Sequence, residues 1–273
     1  MRDLITDAGS YTLTDIARRD PLLVFDFDGT LAPIVDDPHQ ASLRPATHAL
    51  LRLTALLYPC AVVSGRRRAD LCARLTGIPL VGIVGNHGAE AGFGPVDRTP
   101  RGEVASWLEL LAGVARLPGI WVEDKGLSIA VHYRHSCERA KARRAIEAAT
   151  RDLPGGRVFG GRAVVNVVPR ESHDKGDAVA RLLQRIDRRV ALYVGDDATD
   201  EDAFRNPCVV LGVRVGRTHR SAAAFYLSSQ QEVDDLLRAL VRARRALDGL
   251  GEDIEGLERT MAEVEPAMPR SAG

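Results

Sequence analysis

Asp26 and Asp28 stand two residues apart, directly after the apolar run Leu22-Leu23-Val24-Phe25, and Gly29-Thr30 follow them. Residues two apart on an extended chain point to the same side, so one strand end can aim both carboxylates at a single reacting group. Burying Asp26 at such a strand end is costly unless a cation or hydrogen bonds compensate. Ser64 ends a second apolar run, Cys60-Ala61-Val62-Val63, and Gly195-Asp196-Asp197 end a third. Lys175 stands at the start of a helical pattern. These residue types suit phosphoryl chemistry. Two or three carboxylates hold one Mg²⁺ ion, which takes oxygen ligands and keeps several waters. A hydroxyl and an ammonium neutralise the remaining phosphate oxygens. A carboxylate nucleophile beside a metal forms an aspartyl-phosphate and splits hydrolysis into two easier steps.

Hydrophobic spacing predicts the elements that must position these groups. Short apolar runs bounded by glycine turns suit strands buried on both faces of a parallel sheet: 22–25, 60–64, 79–84, 190–194, 209–215 and 224–227. Amphipathic spacing predicts helices over 46–57, 67–75, 174–186, 199–204 and 232–247. Strand alternating with helix predicts a Rossmann-like, doubly wound α/β core. Its ligands gather in the crevice outside the strand ends. Between 93 and 169 the rhythm changes. A Gly/Pro-rich connection at 92–100 leads to a helix over 102–116 and a hairpin of 120–123 with 127–133 around Asp124-Lys125-Gly126. A helix over 136–151 and strands near 157–159 and 163–168 follow. Leu127, Ile129, Val131 and Tyr133 alternate with polar or small residues, the pattern of a sheet with one face covered. The reading is an inserted αββαββ unit, giving core residues 1–92 and 170–247, an insert over 93–169, and a loose tail over 248–273.

Lys+Arg and Asp+Glu both total 37 in 273 residues, so no net field draws the chain to nucleic acid or a membrane. Lysine stands only at 125, 141 and 175, in a chain otherwise served by arginine. A retained lysine offers a compact point charge where arginine offers a planar fork. Lys141 falls in an Arg-rich helix and reads as solvated surface. The four cysteines show no CxxC spacing, and Cys60 and Cys208 fall in apolar runs, which predicts core thiols in a reducing compartment. No apolar run approaches a membrane span, and residues 1–20 lack the apolar segment of a signal peptide. The expectation is a cytoplasmic protein, monomer or weak homo-oligomer, whose partner is a small molecule.

Asp26-Phe27-Asp28-Gly29-Thr30, Ser64, Lys175 and Gly195-Asp196-Asp197, in this order, resemble the four motifs of haloacid dehalogenase-like phosphatases. From about Leu22 to Leu240 the chain is similar, more narrowly, to the trehalose-6-phosphate phosphatase family. That likeness is carried by Ser64-Gly65-Arg66, the stretch from Gly85 to Glu90, Glu123-Asp124-Lys125, His132-Tyr133-Arg134, and the stretch from Gly195 to Glu201. The resemblance implies a core with an inserted C2B-type α+β cap, a Mg²⁺ cofactor and a sugar-phosphate substrate. It implies that Asp26 is the nucleophile, that Asp28 protonates the leaving alkoxide and later activates water, and that Ser64 and Lys175 bind phosphate. Mg²⁺ would be held by Asp26, the Asp28 carbonyl and Asp196, with Asp197 and Asp200 behind them. Substrate contacts would come from Thr30, Gly65, Arg66, His87, Glu123, Lys125, His132, Arg134 and Asn166. One departure stands out: Asn166-Val167-Val168-Pro169 occupies the place where the family usually has Glu followed by a basic residue and Pro. It leaves open a sucrose- or mannosylglycerate-type phosphate as substrate, and, as readings of another kind, a phosphomutase or a non-catalytic sugar-phosphate sensor.

Overall fold

A computed structural model describes residues 1–5, 7–93, 101–161, 163–250 and 256–257. Among these the strands run β1 (Arg2–Asp3), β2 (Leu22–Phe25), β3 (Cys60–Val63), β4 (Gly82–Val84), β5 (Trp121–Asp124), β6 (Ile129–His132), β7 (Gly156–Gly161), β8 (Val164–Pro169), β9 (Ala191–Gly195), β10 (Val209–Val215) and β11 (Phe225–Leu227). The helices are α1 (Asp7–Arg18), α2 (Pro45–Leu57), α3 (Arg68–Arg74), α4 (Arg101–Leu110), α5 (Ala112–Ala115), α6 (Arg139–Thr150), α7 (Lys175–Arg185), α8 (Asp200–Phe204) and α9 (Glu232–Leu247).

Seven strands form a parallel sheet in the order β1-β11-β10-β9-β2-β3-β4. β2 lies inside it, pairing Leu23 with both Cys60 and Leu192. Its four residues are wholly buried, because the two faces of the sheet carry separate apolar layers. Leu23 and Phe25 pack on one side with Leu50, Leu236 and Leu240. Leu22 and Val24 pack on the other with Val179, Leu182 and Tyr193. This period-two alternation explains why an unbroken apolar run reads as a strand here. The order reverses direction at β2 and β9, so the loops after them open onto the crevice where such sheets collect ligands.

The second sheet is antiparallel, in the order β5-β6-β8-β7. One face carries Ile129, Val131, Val165 and Val167 against Trp107, Leu111 and Ile146 of the α4–α6 layer. Tyr133 is buried there too, as packing, while the Lys141 side chain is exposed.

Several expected elements differ in detail. The helix over 102–116 breaks at Leu111 into α4 and α5. The strand expected from Pro79 is in register with β3 only from Gly82: proline offers no donor, the Leu80 amide turns back to the Ile78 carbonyl at 2.8 Å, and the Val81 amide is the first to reach across, to the Cys60 carbonyl at 2.8 Å. Helix α6 begins at Arg139 rather than 136. The connection between Pro33 and Pro45 holds a 3-10 turn, Pro38–Gln40, whose Asp37 cap accepts a hydrogen bond from the His39 amide. Cys60 is buried as expected, but Cys208 is only half-buried. β1 and α1 were not legible; α1 adds Leu13, Ile16 and Ala17 to the layer that holds α9. Most of the Gly/Pro-rich connection (94–100) and most of the tail lie outside the described residues.

Candidate active site

Asp26 follows β2 directly, and its amide still continues the ladder by donating to the Val194 carbonyl at 2.9 Å. The chain then turns at Gly29, φ +79°, where a side chain would overlap the Asp196 carboxylate. Glycine is therefore required by both backbone and neighbour. Lys175 opens α7, whose start is fixed by a reciprocal cap between Asp174 and Asp177. Its ammonium lies 3.1 Å from Asp26 Oδ2 and 2.7 Å from Asp200 Oδ1, with the side chain only 2% exposed. Tyr193 Oη donates to Asp200 Oδ1 at 2.8 Å, and the Asp197 amide donates to Asp200 Oδ2 at 2.8 Å. Burial opposes the charge on Lys175, but Asp200 and Asp26 outweigh it and hold the pKa above the ordinary lysine value.

Two carboxylates in this cluster are left short of partners. Asp26 Oδ1 and Asp196 Oδ1 are buried with no hydrogen bond. Burial pushes Asp26 well above the usual carboxylate range against the pull of Lys175. Burial, then Asp200 and Asp197, push Asp196 up to about 7. Oxygens of Asp26, Asp196 and Asp200 lie within 4.8 Å of one another. Orphaned, crowded, hard oxygen donors fit a small divalent cation such as Mg²⁺, which relieves both the repulsion and the missing bonds. Asp200 is already engaged by Lys175 and Tyr193, so it braces the group from behind. Asp197 is half-buried, and its side chain accepts from the Ala198 amide.

Asp28 is held by a residue of the next strand's loop. The Arg66 guanidinium forks onto it, Nε to Oδ2 at 2.6 Å and Nη2 to Oδ1 at 2.7 Å. Arg66 also donates to Asp70 at 2.8 Å and to the Pro38 carbonyl at 2.7 Å. Most of its donors thus serve the protein, where the family resemblance implies a substrate contact. Ser64 is buried at the end of β3, and the Arg66 amide approaches its hydroxyl at 3.4 Å. Thr30 is wholly buried with its hydroxyl unpartnered, while its carbonyl accepts from Gln230 at 2.8 Å. His87 takes φ +58°, which presses its ring onto Gly65 so closely that no side chain fits there. Neither His87 ring nitrogen has a hydrogen-bond partner. Burial, Lys125 and Lys175 hold its pKa well below the ordinary histidine value, and Asn166 beside it opposes this only weakly. The ring is neutral, able to donate from one nitrogen and accept at the other.

The antiparallel sheet closes over these loops with its second face. Lys125 Nζ donates to the Gly65 carbonyl at 3.0 Å and lies 3.9 Å from Glu123. Burial lowers the Lys125 pKa, against Glu123 and Asp28. Glu123 is 3.0 Å from His132 Nε2, and His132 stacks on Trp121 at 4.1 Å. Burial opposes the Glu123 charge, but His132 and Lys125 bring its pKa down. Arg134 donates to the Val35 carbonyl at 2.6 Å, so it ties the cap to the core. Asn166 is buried on β8, paired with Ala130 and Phe159. Sequence reasoning missed Tyr193, and also Ser128, whose hydroxyl donates to Asn86 Oδ1 at 2.8 Å across the two sheets. Neither carries a spacing signal; their roles exist only once distant segments meet.

The arrangement offers a buried carboxylate beside a fixed ammonium, a cation-ready acidic pair and a covering layer. A core sheet of this order with a second sheet over its strand ends is a fold shared with a solved HAD subclass IIB sugar phosphatase, at a TM-score of 0.55 and 15% identity over 84% of this chain and 99% of that one. A model of the trehalose-phosphatase family matches residues 24–207, more than half of the chain, and the chain belongs to that family. It is 38% identical over 207 residues to the trehalose-phosphate phosphatase of Mycobacterium avium (strain 104), covering 69% of this chain and 52% of that protein. The Mycobacterium tuberculosis (strain ATCC 25618 / H37Rv) counterpart is 33% identical over 250 residues, covering 84% and 63%. The chain therefore spans between half and two thirds of the curated relatives it matches. The C-terminal domain of a C. albicans trehalose-6-phosphate phosphatase shares the fold with a TM-score of 0.72 at 22% identity, over 89% of this chain and 97% of that one.

Proposed function

We propose that this chain is a Mg²⁺-dependent phosphatase that hydrolyses trehalose 6-phosphate to trehalose and phosphate. The observation that carries the reading is the Lys175 ammonium fixed between Asp26 and Asp200, beside an Asp196 oxygen with no partner, at the C-terminal ends of β2 and β9. Family membership supports the choice of sugar. Residues 1–92 and 170–247 act as the core, 93–169 as the cap, and 248–273 as a tail. The protein works in the cytoplasm, as a monomer or weak homo-oligomer.

Asp26 attacks phosphorus through a carboxylate oxygen. The bond to the sugar oxygen breaks, and Asp28, released from its fork with Arg66, gives that oxygen a proton. Water then attacks the aspartyl-phosphate, losing its proton to Asp28, and phosphate leaves with Asp26 restored. Lys175 and Ser64 hold the phosphate oxygens. Asp26, the Asp28 carbonyl and Asp196 would hold Mg²⁺, which when bound neutralises developing charge on phosphorus-bound oxygen. Glu123, Lys125, His132, Asn166 and neutral His87 face the substrate from around the core–cap gap, and the closed cap excludes water from the first step.

A phosphate-release panel of sugar phosphates, run with Mg²⁺ and with chelator, tests this. Trehalose 6-phosphate should be preferred and chelator should stop turnover. Comparable rates on many sugar phosphates would sink the assignment of the sugar. Undiminished release by Asp26→Asn would sink the mechanism.

A further inference from the structure

Between β7 and the starts of α7 and α8 lies a cavity of about 240 Å³. Lys175 is part of its wall but Asp26 and Ser64 are not, so it lies beside the phosphoryl site rather than in it. Arg157 and Phe159 line it from alternate positions of β7, His87 from the core turn, and Thr199 and Asp202 from the beginning of α8.

Arg157 has no structural work to explain it. The side chain carries five donors, yet its Nε is buried without a partner and among the described residues it makes neither hydrogen bond nor ion pair. It only lies over its strand neighbour Phe159, 5.9 Å from the ring centre. Asp202 lines the same cavity and is likewise without a hydrogen bond or ion pair. A donor fork and a carboxylate that line one cavity and do not pair with each other are both left able to meet a bound polar group. Phe159 and His87 meet edge to face at 4.9 Å and supply an aromatic wall. Donors, an acceptor and an aromatic wall together suit the hydroxyls and the C–H face of a sugar ring.

We propose that Arg157 and Asp202 bind hydroxyls of the sugar whose phosphate is held at Lys175, which makes Arg157 a specificity-determining residue of the cap. The proposal rests on the sugar-phosphatase reading and deepens it by fixing where the sugar lies. A group esterified to a phosphate at Lys175 has this cavity as its neighbour. Its volume is below the roughly 300–1,000 Å³ of pockets that enclose a whole drug-sized ligand, so it takes one ring rather than a disaccharide.

Steady-state kinetics of wild type, Arg157→Gln and Asp202→Asn on trehalose 6-phosphate and on phenyl phosphate, which offers no hydroxyls, test the proposal. For Arg157→Gln the ratio of kcat/KM on the sugar ester to that on the phenyl ester should fall about 10- to 100-fold, mainly through KM. Asp202→Asn should lower the ratio less, because the amide still accepts. Equal losses on both esters overturn the proposal, as Arg157 would then serve the phosphate; no loss on either also overturns it. If Arg157→Gln lacks a cooperative thermal transition, Arg157→Lys replaces it, keeping the charge but not the fork, and a lowered ratio is again required. If wild type prefers another sugar phosphate, that ester takes the place of trehalose 6-phosphate in the ratio. The trehalose assignment then fails, while Arg157 is still tested.

Discussion

Replacing Lys175 by Met keeps the length of the side chain and removes its charge. The ammonium is 2% exposed and its partners Asp26 and Asp200 are 6% and 0% exposed, so solvent does not substitute for it. Removing one partner of a buried pair costs about 3–5 kcal/mol. Two carboxylates share this cation, which places the expectation near the upper end, a large part of the roughly 5–15 kcal/mol that holds a domain folded. Part of the loss returns in acid. Without Lys175, which pulls against the burial that raises it, Asp26 takes up its proton in the folded state at still higher pH than in the unfolded chain. Its contribution is then present at low pH and lost as pH rises through its folded value. Lys175 itself, held above the ordinary lysine value, stays charged throughout the neutral range and adds no slope there. The deficit against wild type should therefore be larger at about pH 8 than at about pH 5.5. Urea unfolding at both pH values, in chelator, measures it. A deficit under about 1 kcal/mol, or one that fails to narrow in acid, refutes the reasoning. Phosphate release should fall at least about 100-fold, since a fixed donor to the phosphate is lost.

Asp196, pushed up to about 7, must lose its proton to hold a cation, so Mg²⁺ affinity by calorimetry should weaken up to about tenfold per pH unit below that value; a flat affinity from about pH 6 to about pH 8 would contradict this. The same carboxyl titrates near 4 when unfolded, so the metal-free protein should lose stability as pH rises from about 4 through about 7, and Mg²⁺ should restore it. Gly29→Ala places a methyl group on the Asp196 carboxylate and strains a positive φ, with an expected cost of about 1–3 kcal/mol and at least tenfold weaker Mg²⁺ binding. Unchanged binding would show that the turn can yield. Trp107→Ala should cost about 3–5 kcal/mol, because the ring is 1% exposed and its Nε1 donates to the Pro154 carbonyl at 2.8 Å. Hydrogen exchange should rise in β5–β8 more than in β2 and β3, and a uniform rise would argue against a separate apolar layer for the cap.

The strand ends were legible because one pattern carried both messages: apolar runs that must be buried, followed at once by carboxylate or hydroxyl groups that resist burial. Asp26, Ser64 and Asp196 stand where that pattern put them. Lys175 was found at its helix start, but its two partners lie far off in the chain, and only the folded geometry shows it pinned between them. Arg66 shows where local reading stops. The family resemblance implies a substrate contact for it, and nothing in the surrounding sequence says that Asp28, 38 residues away, takes its fork. β1 and α1 escaped because a two-residue strand has no periodicity, and α1 gains its place by packing beside α9 rather than by propensity. Leu111 escaped because amphipathic spacing runs smoothly through the break.

The alternation along β5, β6, β7 and β8 has a consequence for how such a fold changes over time. Ile129, Val131, Val165 and Val167 hold the cap together, while Glu123, His132, Asn166, Arg157 and Phe159 stand at the intervening positions, away from that apolar layer. A substitution at any of these intervening positions alters what the cap meets without opening a hole in its interior. The apolar set belongs to a cluster separate from the layers that enclose β2. That face can therefore change one residue at a time while the apolar layer that frames it stays fixed.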